Sequence, residues 1–267
     1  MGYCNGYTCF CAMKKKIYFL SDAHLGSWAI EHRRTHERRL VSFLDKIKDE
    51  AAAVYMLGDM FDFWYEYRHV VPKGFTRFFG KVAELTDRGV EVHFFTGNHD
   101  IWCLDYFEKE CGMIVHREPC LVELYDKEFF LAHGDEFSAE RSFRILRSIF
   151  HNRFLQMMFS TVHPRWSIWM GHSWARHSML KHKVKGDTPF KGEENEECII
   201  YAKKYLKDHP SVDCFIFGHR HIDEDIALGD NSRCIFLGDW IGTFAYVVFD
   251  GKTVERKYFI EGESKDL

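Results

Sequence analysis

The stretch Val54-Tyr55-Met56-Leu57-Gly58-Asp59 decides how the rest of the chain is read. An unbroken apolar run closed by glycine and aspartate describes a buried strand that ends in a turn carrying a carboxylate. The same pattern recurs on both sides. Ile17-Tyr18-Phe19-Leu20 ends at Ser21-Asp22, 37 residues before Asp59, and Val90 to Phe95 ends at Thr96-Gly97-Asn98-His99-Asp100, with Asn98 39 residues after it. Helical periods lie between the runs. One covers residues 32–49, with Leu40, Phe43, Leu44 and Ile47 on one face, and another covers 75–88, with Phe75, Phe78, Phe79, Val82 and Leu85. Gly89 is placed to cap the second. Strands alternating with helices imply a mostly parallel sheet, whose ligands gather beyond the carboxyl ends of the strands, where Asp22, Asp59 and Asn98 fall.

Further along, Leu121 to Tyr125 and Phe129 to Ala132 flank Asp126-Lys127-Glu128 as a hairpin that delivers His133-Gly134-Asp135. Cys214-Phe215-Ile216-Phe217 delivers Gly218-His219-Arg220-His221, and runs near 233–237, 244–249 and 254–260 complete a second, more antiparallel sheet. The fold class expected is α/β, a two-sheet sandwich flanked by helices. His133 and His219 are separated by 85 residues, more than twice the earlier spacing, so an element is inserted there. Within 141–185 stand nine Arg and Lys and no Asp or Glu, together with Trp166, Trp169, Trp174, Phe143, Phe150, Phe154, Met157, Met158 and Phe159 at mostly helical spacing. That window reads as a basic, apolar-faced helical cap. The expected organisation is a leader over 1–12, a core over 13–136 and 193–267, and a helical cap inserted over 137–192.

Composition sets outer limits. With 267 residues, 46% hydrophobic and only five prolines, the chain buries a large core and is neither disordered nor collagen-like. A net charge of −4 argues neither for nor against a polyanionic partner, but the +9 of the cap leaves the remainder strongly acidic. No apolar run approaches the ~18 residues of a membrane span. Nine scattered cysteines, an odd number, read as reduced intracellular thiols, and Cys4, Cys9 and Cys11 match no zinc spacing. Residues 1–12 lack the order of a secretory signal, Met13 before Lys14, Lys15 and Lys16 reads as a second start, and Gly6 stands where myristoylation wants Ser or Thr.

The chemistry gathers at the strand ends, which present Asp22 with His24, Asp59, Asn98, His133, and His219 with His221. Seven oxygen and imidazole donors converging on one sheet edge suggest two metals. Two cations ~3.5–4 Å apart repel, a carboxylate between them offsets that repulsion, and water bound to both is acidified. Asp59, alone on its loop, is the expected bridge. The alternating positions of Asp22/His24 and of His219/His221 would point each pair to one side of an extended strand. Gly58, Gly97, Gly134 and Gly218 beside the donors permit tight turns and close approach.

The ordered set Asp22-x-His24, Gly58-Asp59, Gly97-Asn98-His99-Asp100, His133-Gly134-Asp135 and Gly218-His219-x-His221 resembles the full motif series of the calcineurin-like metallophosphoesterases over about 22–250. The resemblance implies a two-sheet metallophosphoesterase sandwich with Asp22, His24, Asp59 and His221 holding one metal, and Asp59, Asn98, His133 and His219 the other. It implies that His99 acts near the phosphoryl and leaving oxygens, oriented by Asp100. Within the superfamily, Gly58-Asp59-Met60-Phe61-Asp62-Phe63-Trp64 resembles a segment of the UDP-2,3-diacylglucosamine hydrolase group of lipid A biosynthesis, and Leu237-Gly238-Asp239-Trp240 resembles a late Gly-Asp-Trp of related hydrolases. His99 departs from that group's best-known branch, which has Arg there.

This resemblance implies cleavage of an acylated UDP-sugar to UMP and a diacylglucosamine 1-phosphate. The implied cofactors are two divalent metals, manganese first, with iron or zinc as alternatives. Implied partners are an amphiphilic nucleotide-sugar lipid and the cytoplasmic surface of the inner membrane, with no stable nucleic acid and no obligate protein partner. Candidate substrate contacts are Trp64, Arg141, Arg144, Arg147 and Phe150. A phosphodiesterase or nuclease on the same scaffold is the alternative, since interleaved aromatic and basic residues also suit single-stranded nucleic acid.

Overall fold

The computed structural model describes residues 15–185 and 189–260, with the side chains of 177–185 left undescribed. The expected leader, with Cys4, Cys9 and Cys11, lies outside the described residues.

In chain order the first half runs β1 (Lys16–Leu20), α1 (Arg33–Ile47), β2 (Ala51–Leu57), α2 (Thr76–Asp87), β3 (Glu91–Phe95), α3 (Tyr106–Cys111) and β4 (Ile114–His116). The hairpin β5 (Cys120–Leu124) and β6 (Lys127–Ala132) follows, then three helices, α4 (Arg141–His151), α5 (Arg153–Ser160) and α6 (Pro164–Lys185). The chain ends with α7 (Glu197–Asp208), β7 (Val212–Phe217), β8 (Asp225–Ala227), β9 (Arg233–Phe236), β10 (Ala245–Phe249) and β11 (Val254–Tyr258). One sheet has the order β11-β10-β1-β2-β3-β4 and the other β5-β6-β7-β9-β8. The architecture is α/β, two mixed sheets with flanking helices.

Alternation along the strands explains the layers. In β1, Ile17 and Phe19 face the second sheet, where Phe19 stacks on Phe129 at 5.7 Å between ring centres. Tyr18 and Leu20 face outward into the layer under α1 and α2, with Leu40, Phe43, Phe78 and Val82. A third cluster, built on Phe130, Phe215 and Phe217, lies under α7. Strands buried on both faces read as continuous apolar runs, which is why β2 is legible from Val54 to Leu57, although it begins earlier, at Ala51.

One expectation is corrected. The runs near 244–249 and 254–260 do not join the second sheet. β10 pairs antiparallel with β1, Tyr18 opposite Val248, and β11 pairs with β10. In the first sheet β1 has a parallel neighbour, β2, on one side only, leaving its other edge to accept a returning hairpin. Local pattern carries no information about which edge that will be. The second sheet is mixed, with β6, β7 and β9 parallel and β5 and β8 antiparallel at its edges.

Trp64 is the second correction. It is fully buried and packs against Phe61, Phe79 and Phe107 with ring centres 4.9, 5.6 and 4.8 Å away, so it cannot touch substrate. The segment after Asp59 is pinned by Asp62 N donating to Leu25 O at 3.1 Å and Trp64 N donating to His99 O at 3.1 Å, which leaves the Trp64 indole in the layer below α2 and α3. Trp64→Ala should therefore cost about 3–5 kcal/mol of stability, read from urea unfolding of the metal-loaded protein. A loss under about 1 kcal/mol with a raised KM would return Trp64 to the substrate.

Candidate metal centre and its apolar cavity

The donors stand on turns just past β1, β2, β3, β6 and β7, and the turns have an unusual backbone. Asp22, His24, Asp59, His219 and His221 have φ of 56°, 43°, 52°, 64° and 52°. Left-handed backbone costs a non-glycine residue ~1–3 kcal/mol and persists only where the surroundings over-determine it. This replaces the expected strand alternation: Asp22/His24 and His219/His221 converge because their turns are left-handed, not because a strand continues through them.

Glycine makes the convergence possible. A Cβ on Gly97 would lie 2.2 Å from Asp59 Oδ1, and one on Gly218 would lie 2.7 Å from Asp22 Oδ2. Each carboxylate uses one oxygen to hold a neighbouring loop. Asp22 Oδ2 accepts from His219 N at 2.9 Å, and Asp59 Oδ1 accepts from His99 N at 2.9 Å. The other oxygens face the imidazoles, with His221 Nε2 3.2 Å from Asp22 Oδ1 and His133 Nε2 3.3 Å from Asp59 Oδ2. His24 Nε2 stands 3.9 Å from both Asp22 Oδ1 and Asp59 Oδ2. His133 Nδ1 donates to Leu57 O at 2.7 Å, which leaves Nε2 as the nitrogen turned to the centre.

Asp22 Oδ1, Asn98 Oδ1 and His133 Nε2 are buried and, close imidazole–carboxylate contacts aside, meet no partner in good hydrogen-bond geometry among the described residues. Donors left unsatisfied in this way fit divalent cations. The ligating atoms of Asp22, His24 and His221 lie within 4.8 Å of one another, as do those of Asp59, His133 and His219, while Asp59 also groups with His24 and His99.

The electrostatics agree. Burial, then the like charges of His99 and His221, hold His24 down to about 4 despite Asp59, and burial with His133 does the same to His219. Both imidazoles are thereby neutral, the form that ligates. Burial pushes the Asp59 carboxyl up, but His133, His99 and His24 overcome it and hold it well below the carboxylate range. His133 is disfavoured as a cation by burial, yet Asp59 raises it well above the usual imidazole value. Its proton stands where a metal would displace it.

His99 is brought to the same place, with its ring 4.8 Å from that of His24. The expectation that Asp100 orients it is corrected. His99 Nδ1 donates to Asp62 O at 2.7 Å. Asp100 is buried and accepts from Gly97 N at 2.8 Å, Asp59 N at 3.3 Å, Met60 N at 2.8 Å and Phe61 N at 3.3 Å, so it joins the two loops instead.

A cavity of about 300 Å³ opens beside the centre. Asp62, Asn98 and His99 form its polar end, and Phe63, Trp102, Phe143, Phe150, Phe159 and Trp174 are among its apolar walls. Of the candidate cap contacts, Phe150 and Arg147 line it, and Arg147 Nε also donates to Asp135 Oδ2 at 2.9 Å. Arg144 faces a neighbouring cleft with Glu118, Glu136 and His151, and Arg141 is exposed away from both. Sequence reasoning did not assign Asp62, Phe63 or Trp102 to this wall; Phe63 and Trp102, at ring distance 6.0 Å, come from separate loops and share no spacing signal.

Residues 15–223 match the calcineurin-like phosphoesterase family. The chain is 49% identical over 253 residues to a UDP-2,3-diacylglucosamine hydrolase of Porphyromonas gingivalis, covering 91% of this chain and 97% of that one. It is 30% identical over 237 residues to a protein of the same name from Aeromonas hydrophila, covering 83% and 89%. A solved phosphoesterase from E. coli aligns over 90% of each chain at 14% identity with a TM-score of 0.42.

Gly97 touches no ligand through a side chain of its own, so it tests the packing that builds the centre. Gly97→Ala should reduce bound metal from about two per chain to below one by elemental analysis, with far-UV circular dichroism unchanged. Full metal content in this variant would contradict the geometry.

Proposed function

The chain belongs to the calcineurin-like phosphoesterase family, and from that premise we propose that it hydrolyses the pyrophosphate of UDP-2,3-diacylglucosamine to UMP and 2,3-diacylglucosamine 1-phosphate. It is a metal-dependent phosphoester and pyrophosphate hydrolase. The observation that carries the finer reading is the apolar cavity that begins at Asn98 and His99 and runs under α4, α5 and α6. An acyl chain lying there would set its headgroup against the donor cluster.

In this reading Asp22, His24, Asp59 and His221 hold one cation, and Asp59, Asn98, His133 and His219 hold the other, manganese suiting the mixed carboxylate and imidazole set. Two divalent cations held there would supply Lewis acidity and lower the pKa of bound water. The chain's own groups do the rest. Asp59, which groups with His24 and with His133 and His219, would belong to both donor sets. His99, with Nδ1 committed to Asp62 O, lines the cavity and would donate from Nε2 to the phosphoryl or leaving oxygen.

The cap also supports work at a membrane surface. Phe154, Trp166 and Trp169 are 62%, 58% and 63% exposed, beside exposed Arg153, Arg165 and Arg176. Each basic residue near an anionic leaflet is worth ~1 kcal/mol, and exposed aromatics suit the headgroup region. No described helix is long and apolar enough to cross a membrane. The proposed location is the cytoplasmic face of the inner membrane, held peripherally.

Two outcomes test this reading. The diacylated UDP-sugar should be cleaved at a kcat/KM at least about 100-fold above its acyl-free counterpart, since buried methylenes contribute ~0.8 kcal/mol each to holding the pyrophosphate. In ¹⁸O-labelled water the label should enter UMP. Equal rates on both sugars, or cleavage of single-stranded oligonucleotides instead, would favour a nuclease or phosphodiesterase. His99→Ala should lower turnover by ~10²–10⁴-fold with both metals retained; metal lost in step with rate would make His99 a ligand.

A further inference from the structure

Asp62 lies three residues beyond Asp59 and takes no part in the donor cluster. Its side chain is 1% exposed, and among the described residues no donor meets either carboxylate oxygen in good hydrogen-bond geometry, although against the upward push of burial the nearby His172 and Ser27 side chains help hold the carboxyl below its ordinary value. A buried polar group left in that state is costly, so it calls for a donor from elsewhere. His172 Nδ1 stands 3.8 Å from Asp62 Oδ2, beyond hydrogen-bond reach, and has no partner of its own among the described residues.

The two side chains come from different elements, Asp62 from the loop after β2 and His172 from α6. Asp62 is fixed on the core by its N–H to Leu25 O and by its own carbonyl, which accepts from His99. His172 is carried by α6, which descends so closely at Gly171 that a Cβ there would lie 2.3 Å from the Phe63 ring. Asp62 therefore sits where the polar lining, Asn98 and His99, gives way to the apolar lining, Phe63 and Trp102.

We propose that Asp62, with His172 as its positioning residue, accepts a hydrogen bond from the amide N–H that joins an acyl chain to the sugar, and so selects N-acylated over wholly O-acylated nucleotide sugars. The inference rests on the hydrolase reading above. Asp62 marks the boundary between polar and apolar lining, and the matching boundary in the substrate is the acyl linkage. Of the two linkages in a 2,3-diacylglucosamine, the amide carries an N–H and the ester carries none. A buried acceptor rejects an isostere that lacks the donor far more strongly than an apolar wall rejects a change of shape.

The test compares two UDP-sugars with identical chains, one with an amide at position 2 and one with an ester, on the metal-loaded enzyme. Wild type should favour the amide by about 30-fold or more in kcat/KM. Asp62→Ala should bring the ratio to within about threefold of unity. Asp62→Asn, which keeps an acceptor oxygen without the charge, should fall between, and His172→Ala should lower the ratio at least about threefold. A merely structural role would slow both substrates and leave the ratio unchanged. Equal wild-type rates on amide and ester would overturn the inference and leave the lipid reading standing, and hydrolysis of neither would overturn both. Because the wild-type comparison needs no variant, a misfolded Asp62→Ala protein does not blunt the test.

Discussion

The carboxylate of Asp100 accepts four backbone N–H groups, one from the loop after β3 and three from the loop after β2. That junction brings Gly58 and Gly97 so close that a Cβ on the first would lie 2.9 Å from the Cα of the second. Asp59 and Asn98 follow those glycines directly, so their side chains reach the same point only while the loops stay in register. Burial, with the neighbouring charge of Asp59, pushes the Asp100 carboxyl up to about 7 against the pull of its N–H donors. The junction is thus an energetically loaded part of the molecule, and the left-handed turns at Asp22, His24, Asp59, His219 and His221 add to that load. The surrounding layers hold these turns in place. Strands β1, β2, β3, β6 and β7 are buried over most of their length, with rings such as Phe19 and Phe129 locked between the sheets.

The cap depends on the same loops. Phe63, which seats Gly171 of α6, comes four residues after Asp59, and Trp102, whose indole N–H donates to Phe150 O at 2.9 Å, comes two residues after Asp100. Arg147 of α4 is held by Asp135, two residues past His133. Each tether thus starts close in sequence to a donor. The cavity and the donor cluster are therefore one construction: the segments that aim the donors also fix the roof, which is how an apolar chain and a phosphoryl group can be positioned together.

What was legible in the sequence follows from this arrangement. Each of Asp22, Asp59, Asn98, His133 and His219 terminates a run of buried strand, and an apolar run stopped by a turn residue is a local signal. The cap was legible through segregated charge and an oversized interval. The placement of β10 against β1 was not, because a hairpin's pattern is the same whichever sheet edge receives it. Trp64 misled because its neighbours in sequence, Asp59 and Phe63, do face the site, while the pinned backbone sends the indole into the layer beneath. Asp22 and His24 converge through left-handed turns, and positive φ leaves no trace in a pattern of apolar and polar residues. Asp62 and His172 come together only through the docking of α6, a contact that no spacing along the chain encodes.

We propose that these turns bring seven donors to two adjoining cation positions that would share Asp59. Anomalous diffraction at the manganese edge, from crystals grown with that metal, tests it most directly. Two peaks about 3.5–4 Å apart are expected, one among Asp22, His24, Asp59 and His221 and the other among Asp59, Asn98, His133 and His219. A single peak, or peaks that do not share Asp59, would contradict it.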